Sequence, residues 1–281
     1  MSELRAIDVE IAPLPEAAPF DPDKKVVVLS DLDDSLFQTF RKSVLRLRPP
    51  GDALLHAAAL GQDGQPHSFM TTAQKILFFE LFKGAWIVPV TGRNLAAFGR
   101  VAVNFGRGAI LSHGGTILKP GGQEDLEWRD FIAPKSKNAE KLLKKVEAEI
   151  KELTRRWELP VKTKIVMEGD LPLYLSSRAQ WTPERGFAHL DLISGALRAS
   201  LEGQLGVHQN GGNLFFIPPH LGKAQAAARF LEAHVPWPRS SYLLLGLGDS
   251  HSDLGFLNLC DFLISPSGTQ LAPPARPAPG D

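Results

Sequence analysis

Cysteine is almost absent from the chain: Cys260 is the sole thiol in 281 residues. One thiol cannot close an internal disulfide, so nothing points to an oxidising compartment. Its apolar neighbours (Gly255-Phe-Leu-Asn-Leu-Cys260) offer no polarising group, which suits a buried, inert side chain rather than a nucleophile. Net charge is absent too, with 31 basic against 31 acidic residues. The whole-molecule field therefore names no nucleic-acid or membrane partner, and an anionic ligand has to be held by local positive charge. No run reaches the roughly 18–20 apolar residues of a membrane span. Residues 1–23 lack the apolar core of a signal peptide, and the cytoplasm is the expected location.

What the chain does have is a 43% hydrophobic content, enough for a sizeable core. Three short apolar runs read as strands buried on both faces, as in a parallel sheet covered by helices. They are residues 25–30 (Lys-Val-Val-Val-Leu-Ser), 85–90 (Ala-Trp-Ile-Val-Pro-Val) and 242–247 (Tyr-Leu-Leu-Leu-Gly-Leu). Each is followed at once by a polar cluster: Asp31-Leu-Asp33-Asp34-Ser35, Thr91-Gly92-Arg93, and Gly248-Asp249-Ser250-His251-Ser252-Asp253. Ligands of open α/β sheets bind beyond the carboxyl ends of the strands, so three clusters at three strand ends predict one shared site.

The residue types predict its chemistry. Asp31 and Asp33, two apart, project to the same side, and like charges so close need a cation or a shared proton. Mg²⁺ meets that need, with Asp249 as a further oxygen ligand. Asp31 is then a nucleophile for phosphorus, and Asp33 the acid and base that protonates the leaving alkoxide and deprotonates water. Thr91 offers a hydroxyl and a backbone N–H to phosphoryl oxygens; Lys223, at a helix start, supplies a point cation. Asp253 orients Lys223 or a metal-bound water.

The fold class expected is α/β: a Rossmann-like parallel-sheet core carrying an inserted α/β cap. Residues 1–23 and 269–281 read as an extension and a disordered tail, 24–121 and 211–268 as core, and 122–210 as cap. A helix capped by Thr71 or Thr72 runs to Phe82 and stops at Gly84. Segment 109–118 reads as strand, turn, strand, and residues 224–234 as a helix stopped by Pro236. In the cap, residues 138–157 form an amphipathic helix with Leu142, Val146, Ile150, Leu153 and Trp157 on one stripe and a solvated lysine-rich face opposite. Strand-like pieces at 161–167 and 174–177 follow, then a second helix from 184 to 202. Trp128, Trp157 and Trp181 are expected in the cap's core. Gly114-Gly115 and Gly211-Gly212 read as hairpin turns. His113, His208 and His251 lack the spacing of zinc ligands.

The clusters resemble the four motifs of the haloacid dehalogenase superfamily. Residues 26–35 resemble the first, 88–93 the second, 221–224 (Leu-Gly-Lys-Ala) the third and 248–253 the fourth. The Thr-Gly-Arg form, the Gly-Ala-Ile-Leu-Ser-His-Gly-Gly stretch and the insert before Lys223 are most similar to subclass IIB, which includes Cof-like, sucrose-phosphate and mannosyl-3-phosphoglycerate phosphatases. The resemblance implies a Mg²⁺-dependent phosphatase working through an aspartyl-phosphate on a small sugar, polyol or sugar-acid phosphate, as monomer or homodimer. Its implied site is Asp31, Asp33 and Lys223 for catalysis, Thr91, Gly92 and Lys223 for phosphate, and Asp31, Asp249 and the Asp33 carbonyl for metal, with Ser250 and Asp253 in support. A sugar phosphomutase of the same fold and a degenerate phosphate-binding module are the rivals. The chain departs from the family at Asp34 (usually Gly), Ser35 (usually Thr) and Ser252 (usually Asn). Residues 37–70 are also longer than usual; their Gly61–Gln65 stretch suggests a hairpin, read as covering a sheet edge, with Arg46 and Arg48 nearby.

Overall fold

The structure is a computed structural model and describes residues 9–16, 18–40, 42–43, 53–180 and 187–273. Strand β2 (Val26–Ser30) sits at the centre of a parallel sheet, between β13 (Leu243–Leu247) and β6 (Trp86–Pro89), with β14 (Phe262–Ile264) outside β13. A parallel bridge from Val90 to Ile110 adds β7 (Ala109–Leu111) beyond β6, and β7 pairs with β8 (Thr116–Leu118). The β-branched run of β2 suits this central place. Val27 and Leu29 face one layer and Val28 the other, all fully buried.

On the first face lies α5 (Lys223–His234) with Ala226, Ala227 and Phe230. On the second lie Phe78, Phe79 and Phe82 from the segment that begins as α1 (Thr72–Ile76) and widens to a π turn over Leu77–Leu81. Thr71 and Gln74 form a reciprocal capping box at its start. Gly84, at φ 75°, ends it as expected.

Residues 37–70 do form a hairpin. β4 (Ala53–Leu60) and β5 (Pro66–Thr71) pair across a turn at Gly61–Gln65, flanked by β3 (Gln38–Thr39) and by β1 (Val9–Ala12), which runs parallel to β4. Two readings are corrected here. The N-terminal extension contributes a strand, held by backbone pairing that its composition does not advertise. The hairpin does more than cover an edge, since Leu60, Gly61, Gln62, Asp63 and His67 line the main cavity. Arg46 and Arg48 lie outside the described residues.

The inserted module is an antiparallel sheet of β11 (Gly206–Asn210), β12 (Asn213–Ile217), β10 (Leu171–Ala179) and β9 (Val161–Glu168), in that order. Gly211, at φ 52°, turns β11 into β12. Helices α3 (Leu126–Arg156) and α4 (Ala188–Leu201) cover one face, with Leu143, Val146, Ile150, Ile193, Leu197 and Phe216 at its centre. The sequence places the start of α3 twelve residues too late, because Pro134 reads as a breaker. The helix runs through it. Leu143, rather than Leu142, is fully buried, and Trp157 is largely exposed. Trp128 is in the core, donating its indole N–H to the Gly114 carbonyl at 2.9 Å; Trp181 is outside the described residues. Lys144, Lys145 and Lys151 pair with Glu140, Glu149 and Glu147 one turn away, which makes that face a solvated surface. Among the described residues no helix is long and apolar enough to cross a membrane.

The first residues of the expected tail are held in a turn against the core. Gly268 and Thr269 donate backbone N–H groups to the Ala272 carbonyl, and the Leu271 N–H reaches the Asp249 carbonyl at 3.1 Å. This turn seats Leu271 against the core.

Asp125 joins module to core. Its carboxylate accepts from the Trp128 N–H at 3.2 Å as the cap of α3, and its other oxygen lies 2.8 Å from His234 at the end of α5. Replacing Asp125 by alanine removes both contacts. Urea denaturation is expected to show a loss of about 2 kcal/mol, and a smaller loss for Asp125→Asn, which keeps a capping oxygen.

Candidate functional site

The three polar clusters converge as the strand order demands. Asp31 leaves β2 with its N–H on the Leu247 carbonyl at 2.8 Å, and the Val90 N–H reaches the Ser30 carbonyl at 2.8 Å. These cross-strand bonds align the ends of β13, β2 and β6. Asp31, Asp249 and Asp253 are buried, with one carboxylate oxygen from each lying within 4.8 Å of the others.

Lys223, delivered by the first turn of α5, donates to Asp31 Oδ1 and Asp253 Oδ1, each at 2.7 Å. Burial acts against its charge, but Asp253 and Asp31 outweigh that and hold the ammonium well above its ordinary range. The other Asp253 oxygen accepts from the Ser250 hydroxyl at 2.9 Å and from the N–H groups of Ser250 and Asp249 at 3.1 and 3.3 Å. Burial pushes Asp253 up, yet Lys223 and these donors leave it below the usual carboxylate range. Asp253 therefore orients Lys223, one of the two roles expected of it.

Asp31 and Asp249 are less well satisfied. The Ser35 hydroxyl lies 3.2 Å from Asp31 Oδ2 and 3.2 Å from Asp249 Oδ1, and its single proton serves one of them at a time. Burial, opposed by Lys223 and reinforced by Asp253 and Asp249, raises Asp31. Burial, followed by Asp253 and Asp34, pushes Asp249 up to about 7. Two hard oxygen donors facing each other with spare lone pairs fit a divalent cation such as Mg²⁺. Asp253 completes the triad of acidic groups geometrically, but both its oxygens are already engaged. Asp34 takes φ 68°, the left-handed turn for which Asp is suited, and is ion-paired with Lys42.

Asp33 is placed differently from its neighbours. Its carboxylate is 45% exposed and receives two parallel bonds from Arg93, Nε and a terminal nitrogen each at 2.7 Å. Arg93 itself is mostly buried, its guanidinium 5.1 Å from the centre of the Phe37 ring. Sequence reasoning leaves Arg93 without a partner, because its bidentate match to Asp33 joins residues 60 positions apart and exists only in the fold.

One role expected of Thr91 is corrected. Its N–H is committed to the Ile110 carbonyl at 2.9 Å and is not available to a ligand. The hydroxyl remains as a donor while its oxygen accepts the Arg93 N–H at 3.1 Å. Gly92 follows, its carbonyl receiving the Tyr174 hydroxyl at 2.8 Å. A Cβ at Gly92 would lie 2.5 Å from His113 Cε1, so only glycine lets the loop pass the ring. Two further ties fasten the module here: Glu168 accepts from the Leu95 N–H at 2.7 Å and the Ser112 hydroxyl at 2.9 Å. Ser252 lies with its hydroxyl 2.8 Å from that of Ser250.

Asp31, Asp33, Thr91, Gly92, Lys223 and Asp249 line one cavity of about 1570 Å³, floored by the strand ends and roofed by the β9–β12 sheet and α4. Among the described residues no histidine joins a cluster able to hold a metal.

No family model matches the chain, and no curated protein matches it. Solved structures do. The C-terminal domain of the trehalose-6-phosphate phosphatase of C. albicans aligns over 86% of this chain and 79% of its own, at 17% identity and a TM-score of 0.51. The sucrose-phosphatase of Synechocystis sp. PCC6803 aligns over 84% and 80%, at 16% identity and 0.44. A haloacid dehalogenase-like hydrolase from Bacteroides thetaiotaomicron aligns over 86% and 94%, at 14% and 0.46. The chain shares its fold with the C. albicans domain. At such identities the likeness is one of architecture, and the chemistry has to be read from the side chains.

His113 gives the core a pH signature. Its buried ring packs edge-on against Tyr174 and Phe215 at 4.9 and 5.0 Å, and Nε2 has no partner. Burial, with Lys223 and His208 adding, lowers the imidazole from 6.5 to about 3. Between those values the unfolded chain binds a proton that the fold refuses, so this stabilisation is complete above 6.5 and is lost as the pH falls toward 3. His113→Asn keeps a residue tolerant of its φ of 56°. It is expected to reduce the slope of unfolding free energy against pH in that window by about 1.4 kcal/mol per unit.

Proposed function

We propose that the protein is a Mg²⁺-dependent phosphomonoester hydrolase that forms a phosphoryl ester on Asp31. The observation carrying this reading is Lys223 Nζ, 2.7 Å from a buried Asp31 at the end of the central strand. A carboxylate anchored that firmly is oriented for attack, and its fixed cation stands where negative charge gathers on a transferring phosphoryl group. Asp31 and Asp249 would hold the metal, together with the Asp33 carbonyl expected from the family resemblance. Mg²⁺ when bound supplies charge neutralisation between the two carboxylates and the phosphate.

In this reading an Asp31 oxygen bonds to phosphorus as the ester oxygen departs, and Asp33 gives that oxygen a proton. Water then attacks the Asp31 phosphoryl ester with Asp33 accepting its proton, which frees inorganic phosphate and restores Asp31. Lys223, the Thr91 hydroxyl and the Gly92 N–H bind the phosphoryl oxygens, while Ser250 and Asp253 hold Lys223 in place. Arg93 occupies both Asp33 carboxylate oxygens, so the first proton transfer requires Asp33 to turn away from that clamp. The inserted module from α3 to β12, which runs past the boundary expected at residue 210, acts as the cap that roofs the site and reads the leaving group. A roofed cleft suits a small phosphate ester, in the class of sugar, polyol or sugar-acid phosphates. A single half-buried thiol, with no second cysteine in the chain to pair with, suits a cytoplasmic setting.

Phosphate release from a generic aryl phosphate tests the assignment. Asp31→Asn is expected to lower turnover at least about 10³-fold with the circular-dichroism spectrum unchanged. Chelation should abolish wild-type activity, and added Mg²⁺ should restore it. Near-normal turnover by Asp31→Asn would remove the nucleophile from the scheme.

A further inference from the structure

The cap sheet has two faces of opposite chemistry. Along β9, Val161 and Ile165 pack toward α3 and α4, while the alternate residues Lys162 and Lys164 line the cavity. Arg178 on β10 stands directly opposite Lys162, and Arg198 of α4 reaches the same space. Ser176 stands opposite Lys164, with Phe215 of β12 on its other side. Cations paired across a ladder repel one another. A surface that gathers them over a cleft is explained by what the cleft binds.

The distribution of carboxylates sharpens the point. The aspartates that line the cavity, Asp31, Asp33, Asp34, Asp63 and Asp249, all belong to the floor and the hairpin. Asp33 and Asp34 are already ion-paired with Arg93 and Lys42. Among the described residues the roof contributes no carboxylate, and Lys162, Lys164, Arg178 and Arg198 have no acidic partner. The chain as a whole is neutral, and the lysines on the outer face of α3 do pair with glutamates. The unbalanced positive charge is thus local to the roof of the active cleft.

A transferring phosphoryl group is accounted for on the floor by Lys223 and the Thr91–Gly92 loop, which leaves the roof to whatever departs. We propose that the leaving group bears an anion of its own, a carboxylate or a second phosphate, and that Lys162, Lys164 and Arg178 bind it, with Arg198 at the margin. This rests on the phosphatase reading above and narrows its substrate class to doubly anionic metabolites. Ser176, Asn213 and the Phe215 ring line the same cavity and suit the hydroxylated body of such a molecule. A neutral sugar phosphate leaves the roof cations unused.

Binding to the full-length Asp31→Asn protein with Mg²⁺, read by titration calorimetry, tests this without turnover. The probes are glucose 6-phosphate, 6-phosphogluconate and glucose 1,6-bisphosphate, which share a phosphorylated six-carbon body. At least one of the two doubly anionic probes is expected to bind tenfold or more tighter than glucose 6-phosphate, and which one does separates carboxylate from phosphate. The Lys162→Ala/Lys164→Ala/Arg178→Ala variant should reduce that preference below twofold, and raising salt from 50 to 300 mM should erode it. Arg178→Gln alone serves as a milder form if the triple variant unfolds. Equal affinities, no measurable binding, preference for a phosphopeptide over both sugar probes, or a preference that survives the roof substitutions would each overturn the proposal. Failure of the phosphatase reading shows elsewhere, as wild-type protein that releases no phosphate from an aryl ester while still discriminating among these probes.

Discussion

The buried ion pair of Lys223 with Asp31 and Asp253 is the constraint on which the rest is built. It brings together the end of the central strand, the first turn of α5 and the short turn after β13, with Lys223 lying 192 positions from Asp31 and 30 from Asp253. Two carboxylates share one ammonium, and a third, Asp249, stands beside them with only a shared hydroxyl for company. Taking such groups out of water costs several kcal/mol each, recovered only when geometry and hydrogen bonding are good. Asp253 meets that condition, with donors on both oxygens. Asp31 and Asp249 do not, and the deficit sits at the place where a cation and a phosphate would remove it. Stability has been traded for a site that wants a ligand.

Around that centre the molecule divides recognition between two layers. The floor is made by strand ends in fixed register, so its groups are set by the sheet itself. The roof is an independent antiparallel sheet whose apolar face is consumed by α3 and α4, leaving the other face free to vary without harm to the core. Lys162 and Arg178 can therefore vary with a ligand, whereas Asp31 and Lys223 are tied to the architecture. In the proposed reading chemistry belongs to the floor, and selectivity to the roof.

Much of this division is legible in the chain. Residues 25–30, 85–90 and 242–247 announce themselves because strands buried on both faces lose the usual alternation, and polar clusters directly after them have one place to go. Period-two alternation in 161–167 marks a strand with one polar face, although composition alone does not say that the lysines face a cavity. What escapes depends on partners distant in sequence. The strand at Val9–Ala12 exists through pairing with β4. The early start of α3 rests on the contacts of Asp125 with Trp128 and His234, which outweigh Pro134. The Thr91 N–H is lost to Ile110, a bond visible only once β6 and β7 are adjacent. The turn at 268–272 is fixed by Leu271 docking on a core that its own proline-rich composition does not predict.

Arg93 shows how closely the two layers are joined. It sits on the loop whose Gly92 carbonyl is held by Tyr174 of the roof and whose Leu95 N–H is held by Glu168, also of the roof. Any displacement of the cap sheet against the floor must stretch or carry those bonds, and with them the guanidinium that grips Asp33. Asp33 is thus fastened, through that loop, to the cap sheet. Asp31 is held instead by Lys223 of α5. In the proposed scheme this arrangement lets the nucleophile stay fixed while the proton donor responds to what lies beneath the roof, because the two aspartates, though only two residues apart, are anchored to different parts of the molecule.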